Sequence, residues 1–212
     1  MIISILNPKG GAGKTTLCIN LARAFQKRGC SVLLVDSDTQ GTLRDWNERA
    51  TIEGLPLVVA MDKPTLDKDV PKLSASYDFV LIDGSAKSDK MNISAIKASD
   101  VILIPIQPSG ADIWAVAEMV EHIKARNEVT DGKPLSAFVV SRAIRGTRFA
   151  SDVAGVIEEY GLHVLTCGTS QKMAYIEALT AGATVLDIEP KGKATNEIQA
   201  ITNELFQWLK LN

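Results

Sequence analysis

The stretch Asn7-Pro-Lys-Gly-Gly-Ala-Gly-Lys-Thr-Thr16 decides how this chain folds. It follows a short apolar run at 2–6 and precedes a helix-like pattern at 15–28. A strand, a glycine-rich loop and the start of a helix, in this order, are typical of a phosphate-binding loop. The alternative is a glycine-rich turn whose lysines are merely solvated, and the strand before it and the helix after it argue against that.

Glycines and the helix start give such a loop its affinity for phosphate. Gly10, Gly11 and Gly13 let the backbone turn tightly and bring its N–H groups to a phosphate chain. The helix adds its unpaired N-terminal N–H groups and the positive end of its dipole. Lys14 can reach the β- and γ-phosphates, and the Thr15 hydroxyl can ligate Mg²⁺.

The spacing of this loop is unusual. The general pattern begins with a glycine, and this chain has Pro8 at that position. A second lysine, Lys9, precedes the glycine pair. The loop is therefore the deviant version of the phosphate-binding motif.

The composition predicts one folded domain that spans residues 1–212. The chain has 46% hydrophobic and 23% charged residues, which is enough apolar material for a packed core. Its net charge of −2 does not attract nucleic acid or membranes to the molecule as a whole, so any such binding must use a local patch. Because the N-terminal strand leads straight into the loop, we expect neither a signal peptide nor an N-terminal operator-binding domain.

The three cysteines, Cys18, Cys30 and Cys167, are far apart and odd in number. They favour neither a disulfide framework nor a paired-cysteine metal site. Core positions in a protein of the reducing cytosol suit them better. No apolar run approaches the roughly 18 residues that a membrane-spanning helix needs.

Apolar runs and helix-like segments alternate along the chain. Several runs are continuously apolar, as expected for strands of a parallel sheet that is covered on both faces. We therefore predict an α/β fold, a single-domain P-loop NTPase with a mostly parallel twisted sheet and helices on both faces. The predicted strands are 2–6, 32–35, 57–60, 79–82, 101–106, 135–140 and 162–166, and the predicted helices are 15–28, 42–51, 65–73, 90–98, 111–127, 149–160, 171–180 and 193–210.

Acidic side chains follow two of the predicted strands. Asp36 and Asp38 end the second strand and point to the same side of an extended chain, where they could orient water, ligate Mg²⁺ or do both. The alternative is a helix N-cap by Asp38 or Thr39. Asp83 ends the fourth strand in the Walker-B pattern, whose carboxylate holds Mg²⁺, and the alternative is an ordinary Asp-Gly turn. Ligands of open parallel sheets bind at this edge, so we expect these acids near the loop.

The identity of the base is indicated only weakly. The chain has no Asn-Lys-x-Asp motif, which would read guanine, so ATP is favoured over GTP. Arg142, just after the sixth strand, could flank the base, and the alternative is a plain surface arginine.

Four motifs in this order resemble the ParA/MinD group of deviant-Walker ATPases, and most closely the small ParA-type (ParF-like) plasmid partition ATPases. The motifs are Lys9-Gly-Gly-Ala-Gly-Lys-Thr-Thr16, Val35-Asp-Ser-Asp-Thr-Gln40, Val80-Leu-Ile-Asp-Gly84 and Ile104-Pro-Ile-Gln-Pro-Ser109. The resemblance covers nearly the whole chain. It departs from the family at Thr39, where proline is usual, and at Gly84-Ser85, and neither change removes a catalytic group.

The resemblance implies a slow ATP hydrolase that uses ATP and Mg²⁺ and forms a face-to-face homodimer on ATP binding. Lys9 would reach the partner's nucleotide, and Asp38 would position the attacking water. Asp36 would support the Mg²⁺ shell, and Asp83 would bind the metal through water. Lys14, a further catalytic group, would hold the β- and γ-phosphates, Thr15 would ligate Mg²⁺ and Thr16 would contact the α-phosphate. The implied nucleotide contacts are Lys9, Gly10, Gly11, Ala12, Gly13, Lys14, Thr15, Thr16 and Arg142.

The resemblance also implies non-specific DNA binding by the dimer and stimulation by a centromere-binding protein of the ParB/ParG kind. On the family pattern Arg145, Arg148 and Lys172 fall closest to the DNA-contacting positions, with Arg142, Lys191 and Lys193 as further cations nearby. The alternative for each is ordinary solvated charge. We expect a cytoplasmic protein associated with the nucleoid.

Three other functions compete with DNA partition. A related ATPase could position a protein cargo, such as a carboxysome or a chemoreceptor array, on the nucleoid. A MinD-like ATPase would need a membrane-binding last helix, but the apolar stripe at 195–211 is poor in lysine, so we expect it to pack on the sheet and expect no membrane binding. A metabolic P-loop enzyme would need a cluster of polar substrate-binding residues, which we do not find. We assign Trp114 to the core or to a dimer interface, and His122 and His163 to ordinary structural positions.

Overall fold

The computed structural model describes residues 1–144 and 155–211, and within them the chain forms one seven-stranded sheet. Every strand pairing in this sheet is parallel, in the order β3-β2-β4-β1-β5-β6-β7. The predicted parallel sheet is therefore confirmed. The strands are β1 (Ile2–Ile5), β2 (Val32–Asp36), β3 (Leu57–Ala60), β4 (Phe79–Asp83), β5 (Val101–Ile106), β6 (Leu135–Val140) and β7 (His163–Val164).

Helices cover both faces of this sheet, as its apolar strands require. Residues 155–158 add a helical turn before β7. The helices are α1 (Lys14–Lys27), α2 (Thr42–Glu48), α3 (Leu66–Ser74), α4 (Asp89–Ala98), α5 (Gly110–Ala115), α6 (Ala117–Glu128), α7 (Met173–Thr180), α8 (Val185–Ile188) and α9 (Lys193–Trp208). The expected helix at 111–127 is divided into α5 and α6, and α8 was not expected. The first half of the helix expected at 149–160 lies outside the described residues.

The alternation of side chains along β1 divides the core into two halves. Ile3 and Ile5 pack with α1 and α9 on one face, whereas Ile2 and Leu6 pack with α4 and α6 on the other. On the first face the rings of Phe25, Phe79 and Phe206 pack in tilted and edge-to-face arrangements with centroids 4.8–5.8 Å apart. These rings tie α1 and α9 to the sheet beneath them.

The last helix packs on the sheet, as predicted. Ile198, Ile201 and Leu205 of α9 are fully buried in the core on that face. In the described part of the chain, none of the helices is long and apolar enough to cross a membrane. Trp114 is 77% exposed on α5, so the core half of its assignment is wrong, and a place in a dimer interface stays a prediction.

The parallel sheet places three chain segments at one edge. Asp36 at the end of β2 is in register with Asp83 at the end of β4, and Asp83 is in register with Ile5 just before the glycine-rich loop. Gly84 is needed here because a Cβ at this position would lie 2.8 Å from the Ile5 carbonyl oxygen. The loop and both groups of acids therefore lie together, as the sequence predicts.

Candidate functional site

The glycine-rich loop between β1 and α1 is tied to the neighbouring strands. Asn7, buried, donates from Nδ2 to the Pro105 carbonyl at 2.8 Å and accepts the Lys9 backbone N–H at 2.7 Å. On its outer side, the Gly11 carbonyl accepts Gln107 Nε2 at 2.8 Å and Arg142 Nη1 at 3.0 Å. These contacts fix the loop before any ligand is bound.

A cavity of about 490 Å³ lies beside this loop. Its floor is formed by residues 10–17, and two walls rise from it. One wall carries Asp38, Gln40, Thr42, Ala86 and Lys87, and the other carries Ser141, Arg142, Thr169, Ser170, Gln171, Lys172, Tyr175, Ile176 and Leu179. The predicted phosphate loop, Asp38, Arg142 and Lys172 thus line one cavity.

The floor of the cavity fits a phosphate chain. Gly13 has φ 95°, and a Cβ there would lie 2.5 Å from Ser141 Oγ, so a side chain would be strained and would collide. The N-terminus of α1 has no side-chain cap and no acidic residue in its first turn. Its first N–H groups are therefore left for a ligand, and an anion suits them best.

Lys14 lies at the start of α1 and points into the cavity. Its side chain is 7% exposed in this structure, and its ammonium donates to the Lys9 carbonyl at 3.1 Å. Burial lowers the pKa of Lys14, and the nearby carboxylates of Asp83 and Asp38 oppose that shift. A buried ammonium is costly unless it is paired with anions, and phosphate oxygens at this point would supply them.

Thr15 and Asp83 form a pair that suits Mg²⁺. The Thr15 hydroxyl donates to Asp83 Oδ2 at 2.7 Å, and the other carboxylate oxygen is buried without a partner among the described residues. Burial raises the pKa of Asp83 to about 7, against the hydrogen bond from Thr15. Among residues 1–144 and 155–211 no three acidic, histidine or cysteine side chains could hold a metal by themselves. Mg²⁺ commonly takes one or two protein oxygens plus phosphates and water, so this pair fits it.

Asp36 and Asp38 are held in a tight loop after β2. Asp36 Oδ1 accepts the Asp38 backbone N–H at 3.0 Å, and Asp38 Oδ1 accepts the Gln40 N–H at 3.0 Å. Asp38 lines the cavity, and its predicted positioning of the attacking water stays a prediction. Asp36 is 2% exposed and anchors the loop. Its predicted support of the Mg²⁺ shell stays a prediction.

Arg44 is a site residue that sequence reasoning missed. From α2 its Nε donates to Asp36 Oδ2 at 3.1 Å, and its Nη2 donates to the Asp38 carbonyl at 3.0 Å. The guanidinium thus clamps the loop that carries Asp38. Nothing in the sequence distinguishes this arginine from other helix-surface arginines.

Lys9 points away from the cavity beside it. It is not among the described residues that line the cavity, and its ammonium lies 2.7 Å from Asp112 Oδ2. Asp112 is 2% exposed on α5, whereas the Lys9 side chain is 40% exposed. Sequence reasoning missed Asp112, although Ser109 and Asp112 have the spacing of a helix cap, and Ser109 Oγ does accept the Asp112 N–H.

Of the three predicted DNA contacts, one lies in the described part of the chain. Arg145 and Arg148 lie outside the described residues. Lys172 is inside them, but its ammonium pairs with Glu197 of α9 and its side chain is only 19% exposed. A DNA contact by Lys172 would therefore have to share or break this ion pair.

Comparison with known proteins decides the family. Residues 3–186 match the CobQ/CobB/MinD/ParA nucleotide binding domain. The chain belongs to this family. The resemblance to ParA/MinD-type ATPases that the sequence motifs carry is thereby confirmed.

Similar proteins and solved structures match nearly the whole length of the chain. The chain is 29% identical over 209 residues to Maintenance of carboxysome distribution protein A of Halothiobacillus neapolitanus, covering 96% of this chain and 95% of that protein. It is 25% identical over 206 residues to Protein ParA of Rhizobium radiobacter, covering 95% and 91%. Among solved structures, the MinD septum site-determining protein of Pyrococcus horikoshii, complexed with Mg-ADP, superposes with a TM-score of 0.81 at 19% identity, covering 98% of this chain and 96% of that one.

Proposed function

We propose that this ParA/MinD-family protein is an ATP-driven DNA partition ATPase that works as one domain. ATP binding joins two copies face to face, the dimer binds DNA without sequence preference, and a centromere-binding protein of the ParB/ParG kind stimulates slow hydrolysis. In this proposal the protein works in the cytoplasm, on the nucleoid. The proposal rests on one observation: the side chains of the two loop lysines, Lys9 and Lys14, point in opposite directions.

The lysine arrangement supports a nucleotide-dependent dimer. Lys14 is buried and turned into the cavity of its own chain, while Lys9 is bound to Asp112 outside that cavity. A lysine at the mouth of the site, not committed to the nucleotide beneath it, is placed to serve a nucleotide of a second copy. A cation that arrives with the partner would neutralise charge that develops during phosphoryl transfer.

In the proposed hydrolysis each residue has a separate task. Thr15 and Asp83 hold Mg²⁺, which when bound supplies positive charge to the phosphate oxygens. Lys14 holds the β- and γ-phosphates. Asp38 accepts a hydrogen bond from the attacking water and orients it, since its carboxylate lines the cavity near the same edge of the sheet.

Arg44→Ala is expected to slow ATP hydrolysis about tenfold, or ~1.4 kcal/mol, with ATP affinity changed by less than about twofold. Arg44 touches Asp36 and the Asp38 carbonyl, so its loss would let the loop drift without touching the phosphate floor. Steady-state turnover and ATP titration measure the two effects. Arg49→Ala, an exposed arginine that follows α2, is the matched control. Equal rates for the two variants would show that the clamp is dispensable.

DNA retention tests the proposed function. With ATP we expect binding to non-specific duplex DNA that falls with salt, and with ADP or no nucleotide we expect little. Three cations per protomer, Arg145, Arg148 and Lys172, would make six phosphate contacts per dimer and a log–log salt slope of about −5. Filter binding or fluorescence anisotropy over a salt series measures it. Binding that ignores ATP, or no binding at any salt concentration, would refute the DNA part.

The placement of a protein cargo is the second candidate. It is favoured by the 29% identity to a carboxysome distribution protein over nearly all of both chains. Both functions use the same ATP-dependent dimer, so the partner distinguishes them. Co-purification with the neighbouring gene product, followed by an ATPase assay with it and DNA, decides between them. A DNA-binding partner that stimulates turnover supports partition, whereas a cargo-associated partner supports the second candidate.

A further inference from the structure

A largely buried carboxylate on the last helix, with its side chain 11% exposed, is hydrogen-bonded to several residues of one wall of the nucleotide cavity. Glu197 of α9 accepts the Ser170 N–H at 3.1 Å, the Ser170 hydroxyl at 2.6 Å and the Tyr175 hydroxyl at 2.9 Å. The Lys172 ammonium also contacts it. Ser170, Lys172 and Tyr175 all line the cavity, and Glu197 itself does not lie among the described lining residues. Glu197 therefore stands behind the wall.

The wall that Glu197 holds is suited to the base of a nucleotide. In the proposed site the terminal phosphates lie near Thr15 and Asp83, which would hold Mg²⁺, and near Asp38. The opposite wall offers apolar side chains, Ile176 and Leu179, which suit a flat ring. Because phosphates and base occupy opposite ends of one ligand, the base falls on the wall that runs from Ser170 to Leu179.

Ser170, Lys172, Tyr175 and Glu197 form a charged cluster whose polar groups are hydrogen-bonded to one another. The side chains of Lys172 and Glu197 are 19% and 11% exposed. Burial acts to raise the pKa of Glu197, but hydrogen bonds from Lys172, Ser170 and Tyr175 outweigh it and hold the pKa below its usual value. Burial and the neighbouring Glu197 raise the pKa of Tyr175. At neutral pH the carboxylate is therefore an ionised acceptor with several donors fixed around it.

We propose that Glu197 is a positioning residue of the nucleotide site: it fixes the wall from Ser170 to Tyr175 against α9 and so sets the affinity for the base end of the nucleotide. This rests on the proposed nucleotide site, and its binding test uses neither DNA nor a cargo. ADP and ATP share their base, so loss of Glu197 weakens both by the same factor. Bound ATP is still hydrolysed, because hydrolysis depends on the wall that carries Asp38.

The chain offers a matched control on the same helix. Glu204 of α9 also accepts backbone N–H groups, from Thr166 at 2.7 Å and Cys167 at 2.8 Å. Its pKa is likewise lowered by these bonds against the effect of burial. Thr166 and Cys167 are not among the described residues that line the cavity. Glu204 thus makes the same kind of anchor away from the nucleotide site.

Calorimetric titration with ADP and with ATP and Mg²⁺ tests the proposal. For Glu197→Ala we expect Kd for ADP and ATP to rise together by about tenfold, while Glu204→Ala stays within about twofold of the parent protein. In a turnover assay KM should rise by the same factor with kcat within about twofold. A Glu197→Ala protein with unchanged Kd, or equal weakening by both alanine variants, would overturn the proposal.

A conservative variant separates positioning from folding. Glu197→Gln keeps an oxygen that can accept the Ser170 N–H but loses the charge that holds Lys172, so we expect an intermediate loss of about threefold in ADP affinity. Thermal unfolding of each variant is followed alongside. If Glu197→Ala does not fold, the glutamine variant decides: affinity equal to the parent's refutes the proposal. ADP binding needs no turnover, so a protein that binds ADP but neither hydrolyses ATP nor binds DNA would fail the proposed function and leave this test intact.

Discussion

Replacing Asp38 by alanine is expected to lower the rate of ATP hydrolysis at least about 100-fold, or ~2.7 kcal/mol, while ATP binding persists. Asp38 lines the cavity, and its carboxylate is held by the Gln40 N–H at 3.0 Å and, more loosely, by the Ala86 N–H at 3.4 Å. A fixed carboxylate at this point can orient water but does not touch the phosphate floor. The rate of ATP hydrolysis should therefore fall sharply, whereas the affinity for ATP should persist.

The measurement pairs two assays on one variant. Single-turnover hydrolysis gives the rate of the chemical step, and calorimetric titration gives ATP affinity. Asp45→Ala, which removes an exposed acid from α2, controls for a general change of charge near the site. If turnover of Asp38→Ala stays within about threefold of the parent, a change of ~0.7 kcal/mol, another group positions the water. ATP-dependent dimers of the variant should persist, since binding is intact.

The backbone of the site follows from local sequence. Continuous apolar runs such as Val80-Leu-Ile82 predict buried parallel strands, and parallel strands bring their carboxyl ends to one edge. The glycines at 10, 11 and 13 specify a loop that only a phosphate chain explains well. Those two features predict that Lys14, Asp38 and Asp83 lie close together.

The partners of these residues were not predictable, because side-chain pairing between distant segments leaves no local pattern. Lys9 and Asp112 are 103 residues apart in the chain, and Glu197 lies 25 residues beyond Lys172 on another helix. Arg44, close in sequence to Asp36, was missed for a different reason: an arginine on a short helix has many rotamers, and only the fold selects the one that points back. Trp114 was assigned to the core or to a dimer interface, and the sequence could not separate the two because only the fold shows that α5 turns this side chain outward.

The ion pair with Asp112 adds a step to the proposed action of Lys9, which must leave Asp112 to reach a second nucleotide. In this structure the Lys9 ammonium already has an anionic partner at 2.7 Å, and that partner is buried with its other oxygen unpaired among the described residues. If Lys9 moves to a second copy's nucleotide, Asp112 loses its counter-charge in a buried place, which costs free energy. In the proposed mechanism the attraction between Lys9 and the phosphates in the partner's site must exceed that cost. The ion pair would thus oppose dimer formation until a nucleotide with enough negative charge is bound.

Replacing Lys9 by glutamine is accordingly expected to reduce ATP turnover about 100-fold, or ~2.7 kcal/mol, with ADP affinity changed by less than about twofold. Turnover would fall because the partner's site loses its cation, and ADP affinity would hold because Lys9 is not among the described residues that line its own cavity. Turnover as a function of protein concentration, ADP titration and analytical ultracentrifugation with ATP measure these effects. Lys90→Gln, at an exposed lysine on α4, is the control.

Mixing the variants separates action across a dimer from action within one chain. Lys9→Gln has an intact Asp38, and Asp38→Ala has an intact Lys9, so a mixed dimer contains one site with both groups when Lys9 acts across the interface. Partial recovery of turnover on mixing two inactive proteins is then expected. If Lys9 acts within its own chain, each site of the mixed dimer lacks one group and no recovery occurs. Loss of ADP binding by Lys9→Gln alone would point the same way, because an ADP-bound monomer has no partner to supply the lysine.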